Sequence, residues 1–280
     1  MTTTSQAFCS VYGPVASWRY GRSLGIDPIG PISTCSFDCV YCQLGQIEHQ
    51  RRDRLLLIPT AQIIHDLQPF APWEVDVITL SGSGEPTLAL NLADILTQVK
   101  QLTRRPVGVL TNGSLLTDPT VRADLTLADF VAAKLDAVTA DQLRRVDRPV
   151  PGIDLDQILA GLGQFRQQYQ GNLAIQTMLL SDWGDQAQLS YISLMQALAP
   201  NEIQLNTPTR PRPLSHQLEA RGNHTETCRS YAVHRLKPVS HETLRSFSDR
   251  IQRATGIPVR YPGHQGEGGG VVVGDGLAGS

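Results

Sequence analysis

The 280-residue sequence predicts an α/β fold: a partial (β/α)6 barrel of the TIM type with an open parallel sheet. A short C-terminal helix and strand, then a flexible glycine-rich tail, follow it. Three observations carry this reading. Short apolar runs alternate with stretches of helical periodicity, as βα units require. Six such runs come before residue 210, fewer than the eight strands that close a TIM barrel. Four of them end in polar or glycine-rich turns, SGSGEPT, TNGS, KLDA and LNTPTRP, where a parallel sheet presents its C-terminal edge to ligands. A doubly wound open sheet satisfies the same order and stands as the alternative.

Taken in order, the strands are expected at 24–29, 75–80, 107–110, 130–135, 173–180 and 202–206. Amphipathic helices lie between them. One carries Ile63, Ile64 and Leu67; a second carries Leu92, Ile95, Leu96, Val99 and Leu102 at helical spacing. A third opens on Asp118 as N-cap with Pro119 in its first turn, and Thr139 with Gln142 reads as a capping box. Two more patterns hold Ile158, Leu159, Leu162 and Phe165, then Leu189, Ile192, Met195 and Leu198. A last helix, 240–254, is capped by Ser240 and stopped by Gly256, ahead of a short strand at 257–261. The expected division is a core over 1–238, an extension over 239–262 and a tail over 263–280.

Composition excludes more than it asserts. A formal net charge of −2 gives no global attraction to nucleic acid or to a membrane surface. No apolar stretch reaches the roughly 20 residues of a membrane span, and no signal peptide is visible. A cytoplasmic protein is expected. Five cysteines, three of them crowded together, argue against a disulfide framework and for metal or redox chemistry. Cys9 and Cys228 stand alone and read as structural thiols.

The crowded three are Cys35, Cys39 and Cys42, in TCSFDCVYC. Three thiolates on one loop hold a metal centre yet cannot complete a four-ligand shell, so a coordination position stays open. A zinc knuckle closed by His49 would make the chain a non-catalytic binding module. An Fe–S cluster with one iron free for an external ligand is the other reading. The loop follows the first strand at the ligand-binding end of the sheet, which favours the second.

The spacing C-x3-C-x2-C, with Tyr41 before the last cysteine, resembles the cluster loop of the radical S-adenosylmethionine (SAM) superfamily. The resemblance implies that Cys35, Cys39 and Cys42 hold a [4Fe–4S] cluster and that the fourth iron takes the SAM methionine. Reductive cleavage then gives a 5′-deoxyadenosyl radical that abstracts hydrogen from a substrate. Tyr41 would lie along the adenine. Gly82-Ser83-Gly84-Glu85-Pro86 resembles the GGEP turn that binds the SAM amino group, with Ser83 in place of a glycine. Asn112 and Ser114 of the TNGS turn are candidates for SAM hydroxyl or carboxylate groups, and an Asn-Gly turn alone would account for them equally. Lys134 is a candidate for the SAM carboxylate, for a substrate anion, or for a local ion pair with Asp136. Gln176, Asn206 and Thr207 share the same mouth.

The stretch Tyr12–Gly25, with CVYCQLG, SGSGEPTLA, AKLDA, IQTM and LNTPTRP, is similar to a subgroup of Fe–S oxidoreductases related to wyosine synthetase, a tRNA-modifying enzyme. This resemblance covers about residues 12–210. It implies an electron donor such as flavodoxin or ferredoxin, and a tRNA base among the substrates it allows. Glycyl-radical activases share the cysteine spacing and the GGEP turn, so activation of a partner protein is the alternative within the class. The cysteine count supports one cluster, since Cys9 alone lies upstream of the loop. Arg210, Arg212, Arg221, Arg229 and Arg235 are a candidate basic patch for RNA.

Overall fold

A computed structural model describes residues 8–222 and 230–263. The expected flexible tail beyond residue 263, together with Cys228 and Arg229, lies outside the described residues. One eight-stranded sheet organises the chain. Its strands are β1 (Val11–Ser17), β2 (Gly21–Ile26), β3 (Val77–Leu80), β4 (Val107–Thr111), β5 (Phe130–Lys134), β6 (Asn172–Met178), β7 (Glu202–Asn206) and β8 (Val259–Arg260). Spatial order equals chain order. The pairing from β2 to β8 is parallel throughout, and β1 runs antiparallel to β2. The sheet curls into a half-barrel, the partial TIM-type architecture that the alternation predicted.

Helices α1 (Thr60–Leu67), α2 (Leu92–Thr103), α3 (Pro119–Leu125), α4 (Ala140–Val146), α5 (Leu155–Gln168), α6 (Asp185–Leu198) and α7 (His241–Thr255) complete the βα units. Two bury most of the stripe their spacing marks: Leu92, Ile95, Leu96 and Val99 on α2, and Ile158, Leu162 and Phe165 on α5. Each such side chain taken from water contributes about 1.5–3 kcal/mol. The caps behave as read. Asp118 accepts from the Thr120 N–H, Thr139 from Gln142, and Ser240 from Thr243. Gly256 ends α7 in the left-handed region at φ 71°. Gln142 closes its box one residue early, accepting from the Val138 N–H at 2.8 Å.

Three details differ from the sequence reading. The first parallel strand runs over Gly21–Ile26 instead of 24–29, because Asp27 Oδ1 accepts the N–H groups of Ile29 (3.0 Å) and Gly30 (3.2 Å) and turns the chain. The stretch ahead of it forms β1, a strand hidden from periodicity by Gly13-Pro14, which the pairing absorbs as a register shift between Tyr12 and Val15. On α6, Leu189 is 50% exposed and Tyr191 takes the inner face, its hydroxyl bonded to Thr177 Oγ1 at 2.7 Å. Among the described residues no helix is long and apolar enough to cross a membrane.

Candidate active site in the barrel

The inner face of the half-barrel encloses a cavity of about 500 Å³, within the range of about 300–1,000 Å³ typical of small-molecule sites. Ser23 of β2, Thr79 of β3, Leu110 of β4, Lys134 of β5, Gln176 of β6 and Gln204 of β7 line it. The three thiols of the cysteine loop border the same cavity.

The loop is clamped from two sides. On one side Thr34 sits against the SGSGEP turn: its N–H donates to Ser83 O (3.1 Å) and its carbonyl accepts from Glu85 N–H (3.1 Å). Gly84 lies between these bonds, and a Cβ there would stand 1.7 Å from Thr34 O. Only glycine permits that approach. Gly84→Ala is therefore expected to push Thr34 and Cys35 off the turn, costing about 1–3 kcal/mol and lowering bound iron severalfold. Urea denaturation and iron analysis after anaerobic reconstitution measure it; wild-type values for both would show that the clamp is dispensable. On the other side Asp38 N–H donates to Asp147 O (3.1 Å), Val40 N–H to Val146 O (2.9 Å), and Val150 N–H to Ser36 O (2.9 Å).

The remaining predicted positions sort by what they touch. Gly82 has φ 129° and packs beside Asp27, where a side chain would meet the carboxylate. Ser83 hydroxyl and N–H both donate to Asp27 Oδ2, at 2.6 and 3.0 Å. That accounts for serine at this place: it holds a buried carboxylate that also pairs with Arg221 at 2.8 Å. Glu85 is 2% exposed. Its Oε1 accepts from Thr87 N–H (3.1 Å), Thr87 Oγ1 (2.7 Å) and Thr111 Oγ1 (2.6 Å), and its Oε2 from Asn112 N–H (2.6 Å). The carboxylate thus ties the end of β3 to the end of β4; burial raises its pKa and these bonds oppose the rise. Asn112 Nδ2 donates to Ser36 Oγ (2.8 Å) and approaches Cys35 Sγ at 3.6 Å, while Ser114 Oγ bonds Ser36 Oγ at 2.7 Å. Asn112 borders the cavity, and Ser114 is turned onto the cysteine loop.

Lys134 is the electrostatic centre. Its Nζ lies 2.8 Å from Asp147 Oδ1, 3.4 Å from Asp136 Oδ2 and 2.7 Å from Cys39 Sγ. Its ammonium also stands over the rings of Tyr41 (4.8 Å) and Phe37 (5.4 Å). Burial opposes its charge, yet Asp147, Cys39, Tyr41 and Asp136 hold its pKa well above an ordinary lysine's. Asp136 is pushed up to about 7 by burial, with Lys134 pulling the other way. Tyr41 donates its hydroxyl to Asp136. Burial pushes the Cys35 thiol up to about 12, with Glu85 adding to the rise, and also raises Cys39 and Cys42. Iron loading would therefore displace protons from all three.

His49, the residue that would close a zinc knuckle, is exposed. Among the described residues no three His, Cys, Asp or Glu side chains converge on a point that one ion could fill. Asp27 and Asp147, both essential to this packing, went unread in the sequence. Asp27 had one signal, a carboxylate closing an apolar run; Asp147 had none. Of the candidate basic patch, Arg212 pairs with Asp38 at 3.3 Å and Arg221 with Asp27. Cys9 is exposed.

Comparison with known proteins agrees with this geometry. The family model for the radical SAM superfamily matches residues 29–187. The chain belongs to the radical SAM superfamily and is an enzyme of that class. It is 56% identical over 261 residues to the UPF0026 protein slr1464 of Synechocystis sp., covering 93% of this chain and 97% of that one. A UPF0026 protein of Methanocaldococcus jannaschii, MJ1312, is 34% identical over 206 residues, covering 71% and 64%. A probable GTP 3′,8-cyclase of Saccharolobus islandicus is 28% identical over 145 residues, covering 51% and 44%. In fold, the chain is similar to Streptococcus suis SuiB bound to its precursor peptide SuiA: TM-score 0.61 at 13% identity, over 88% of this chain and 49% of that longer one. A second structure, native anSMEcpe with bound AdoMet, gives TM-score 0.56 at 14% identity, over 86% and 63%. Membership carries SAM-dependent radical chemistry in general, with SAM and an iron–sulfur cluster in general.

Proposed function

We propose that Cys35, Cys39 and Cys42 hold one [4Fe–4S] cluster, and that SAM bound beside it is cleaved reductively to start a hydrogen abstraction on a substrate in the barrel cavity. One observation carries the reading. Three shielded thiols share the cavity rim, and N–H donors reach two of the sulfurs: Lys134 Nζ at Cys39, and Phe37 N–H (3.4 Å) and Asn112 at Cys35. Such donors suit thiolate ligands and tune the cluster they hold. Bound there, the cluster and SAM supply a one-electron bond cleavage and a 5′-deoxyadenosyl radical.

The chain's own groups position the reactants. Asp147 and Asp136 fix the Lys134 ammonium against Cys39. Asp136 anchors the Tyr41 hydroxyl, holding the ring at the cavity edge, where it would lie along the adenine of bound SAM. Glu85 has every carboxylate oxygen engaged internally, so the backbone of Gly82–Glu85 offers the contacts to the SAM amino group. Asn112 reaches the SAM ribose or carboxylate, and Ser114 holds the cysteine loop instead of touching SAM. A flavodoxin or ferredoxin supplies the electron, in the reducing cytoplasm that free thiols suit.

Anaerobic reconstitution of the full chain with iron and sulfide tests this. A brown protein that converts SAM to 5′-deoxyadenosine with a reductant is expected; a colourless protein holding one zinc sinks the reading. For the substrate, a tRNA base is favoured by the exposed Arg148 beside the cysteine loop's docking segment, with Arg144 and Arg145 exposed nearby and paired to Asp141. Nucleoside profiles of tRNA from a deletion strain, with and without the gene restored, decide it. Identical profiles would remove RNA and leave the radical chemistry standing.

A further inference from the structure

The cavity has a second charged end that the SAM site does not use. Trp18, Arg19 and Tyr20 form the tip of the β1–β2 hairpin, at the N-terminal edge of the sheet. Tyr20 stacks on Phe130 at the start of β5, ring centroids 4.6 Å apart. Arg260 of β8 donates to Trp18 O at 2.9 Å, joining the two free edges of the open sheet. Arg19 lines the cavity from this end.

Its guanidinium is largely shielded from solvent. Nε is shielded from solvent and has no hydrogen-bond partner, and among the described residues no carboxylate pairs with the group. The neighbouring carboxylate, Glu202, is engaged by Gln204 and by Arg260 at 3.5 Å. Tyr20 is held protonated, its pKa pushed up to about 12 by burial. Burial lowers the Arg19 pKa, with Arg210 and Arg260 adding to the fall and Tyr20 and Glu202 opposing it. Among the described residues its guanidinium stands over the Trp18 ring, 4.9 Å from Cζ to centroid. Unpaired polar groups are rare in protein interiors and unpaired charges rarer. A planar fork of N–H donors matches an oxyanion.

We infer that Arg19 is a substrate-binding residue: it receives an oxyanion, a phosphate or carboxylate, on a substrate that extends from this end of the cavity toward the cysteine loop. This rests on the cavity being the reaction chamber of the proposed radical enzyme, and it names the class of molecule that enters. The substrate is anionic and spans the barrel lengthwise, with its charge at the N-terminal end of the sheet and its reacting carbon under the cysteines.

Calorimetric titration of the full chain, free of cluster, with inorganic phosphate and pyrophosphate in one arm and acetate and succinate in the other tests it. Saturable binding in at least one arm is expected, and the arm that binds assigns the oxyanion. Arg19→Gln should weaken it at least tenfold. Arg19→Lys, which keeps the charge and loses the fork, should weaken it at least threefold. Arg105→Gln, an exposed arginine elsewhere, should match the wild type. Wild-type binding in both Arg19 variants, or no saturable binding in either arm, overturns the inference. If Arg19→Gln fails to fold by circular dichroism, the Arg19→Lys result alone decides. Reconstituted wild type is assayed for SAM cleavage in parallel. Cleavage without anion binding removes the subsite alone, and anion binding without cleavage removes the radical reading alone.

Discussion

Cys39→Ala is expected to give a folded, colourless chain that binds no [4Fe–4S] cluster and cleaves SAM more than about a hundredfold more slowly. Loss of an outer-shell partner already costs about 10–100-fold at metal centres, and here the proposed ligand itself is removed. Cys39 is the thiol most tightly held by the protein, with Lys134 Nζ at 2.7 Å and Asp147 Oδ1 at 3.6 Å. The fold should survive, because Lys134 keeps Asp147 and the loop keeps its backbone bonds to 146–150. Iron and sulfide analysis with a 5′-deoxyadenosine assay reads the result. Cys9→Ala, at an exposed site, should behave as wild type. A brown, active Cys39→Ala protein would mean that the ligand set is misassigned.

Lys134→Met carries the largest expected loss of stability. The substitution keeps length and removes the charge, leaving the Asp136 and Asp147 side chains, 1% and 2% exposed, without their cation. Breaking a buried pair from one side costs about 3–5 kcal/mol, chiefly from the stranded partner. Urea denaturation of the cluster-free chain measures it. Adding Asp147→Asn to Lys134→Met should recover part of the loss, because neutralising the stranded carboxylate removes its desolvation cost. A single-variant loss below about 1 kcal/mol, or a double variant no better than the single, would mean that solvent already compensates these charges. In the reconstituted protein, Lys134→Met should also weaken cluster retention, since Cys39 loses its donor.

The parts legible in the sequence are those set by neighbours along the chain. Alternation and helical spacing located the parallel strands and the helices between them, because burial of one face repeats with the period of the element. Caps at Asp118, Thr139 and Ser240 were readable for the same reason: the acceptor and the orphan N–H lie within three residues. The cysteine spacing and the glycines of SGSGEP state a chemistry that needs only a loop. β1 escaped because Gly13-Pro14 breaks its alternation and a register shift restores it only once β2 is alongside.

What the sequence determined alone is therefore the βα rhythm, the three-thiol loop at a strand end and the small-residue turn that faces it. Tertiary structure alone decided which charges meet. It set Asp147 beneath Lys134 and against Cys39, 108 residues away. It gave Ser83 the Asp27 carboxylate to hold, 56 residues away. It turned Arg212 and Arg221 inward and left Arg19 at the far end of the cavity with no paired carboxylate among the described residues. Periodicity records that a face is buried and says nothing of what it is buried against. The cost of a buried charge depends wholly on that partner, so the electrostatics of this site exist only in the folded chain.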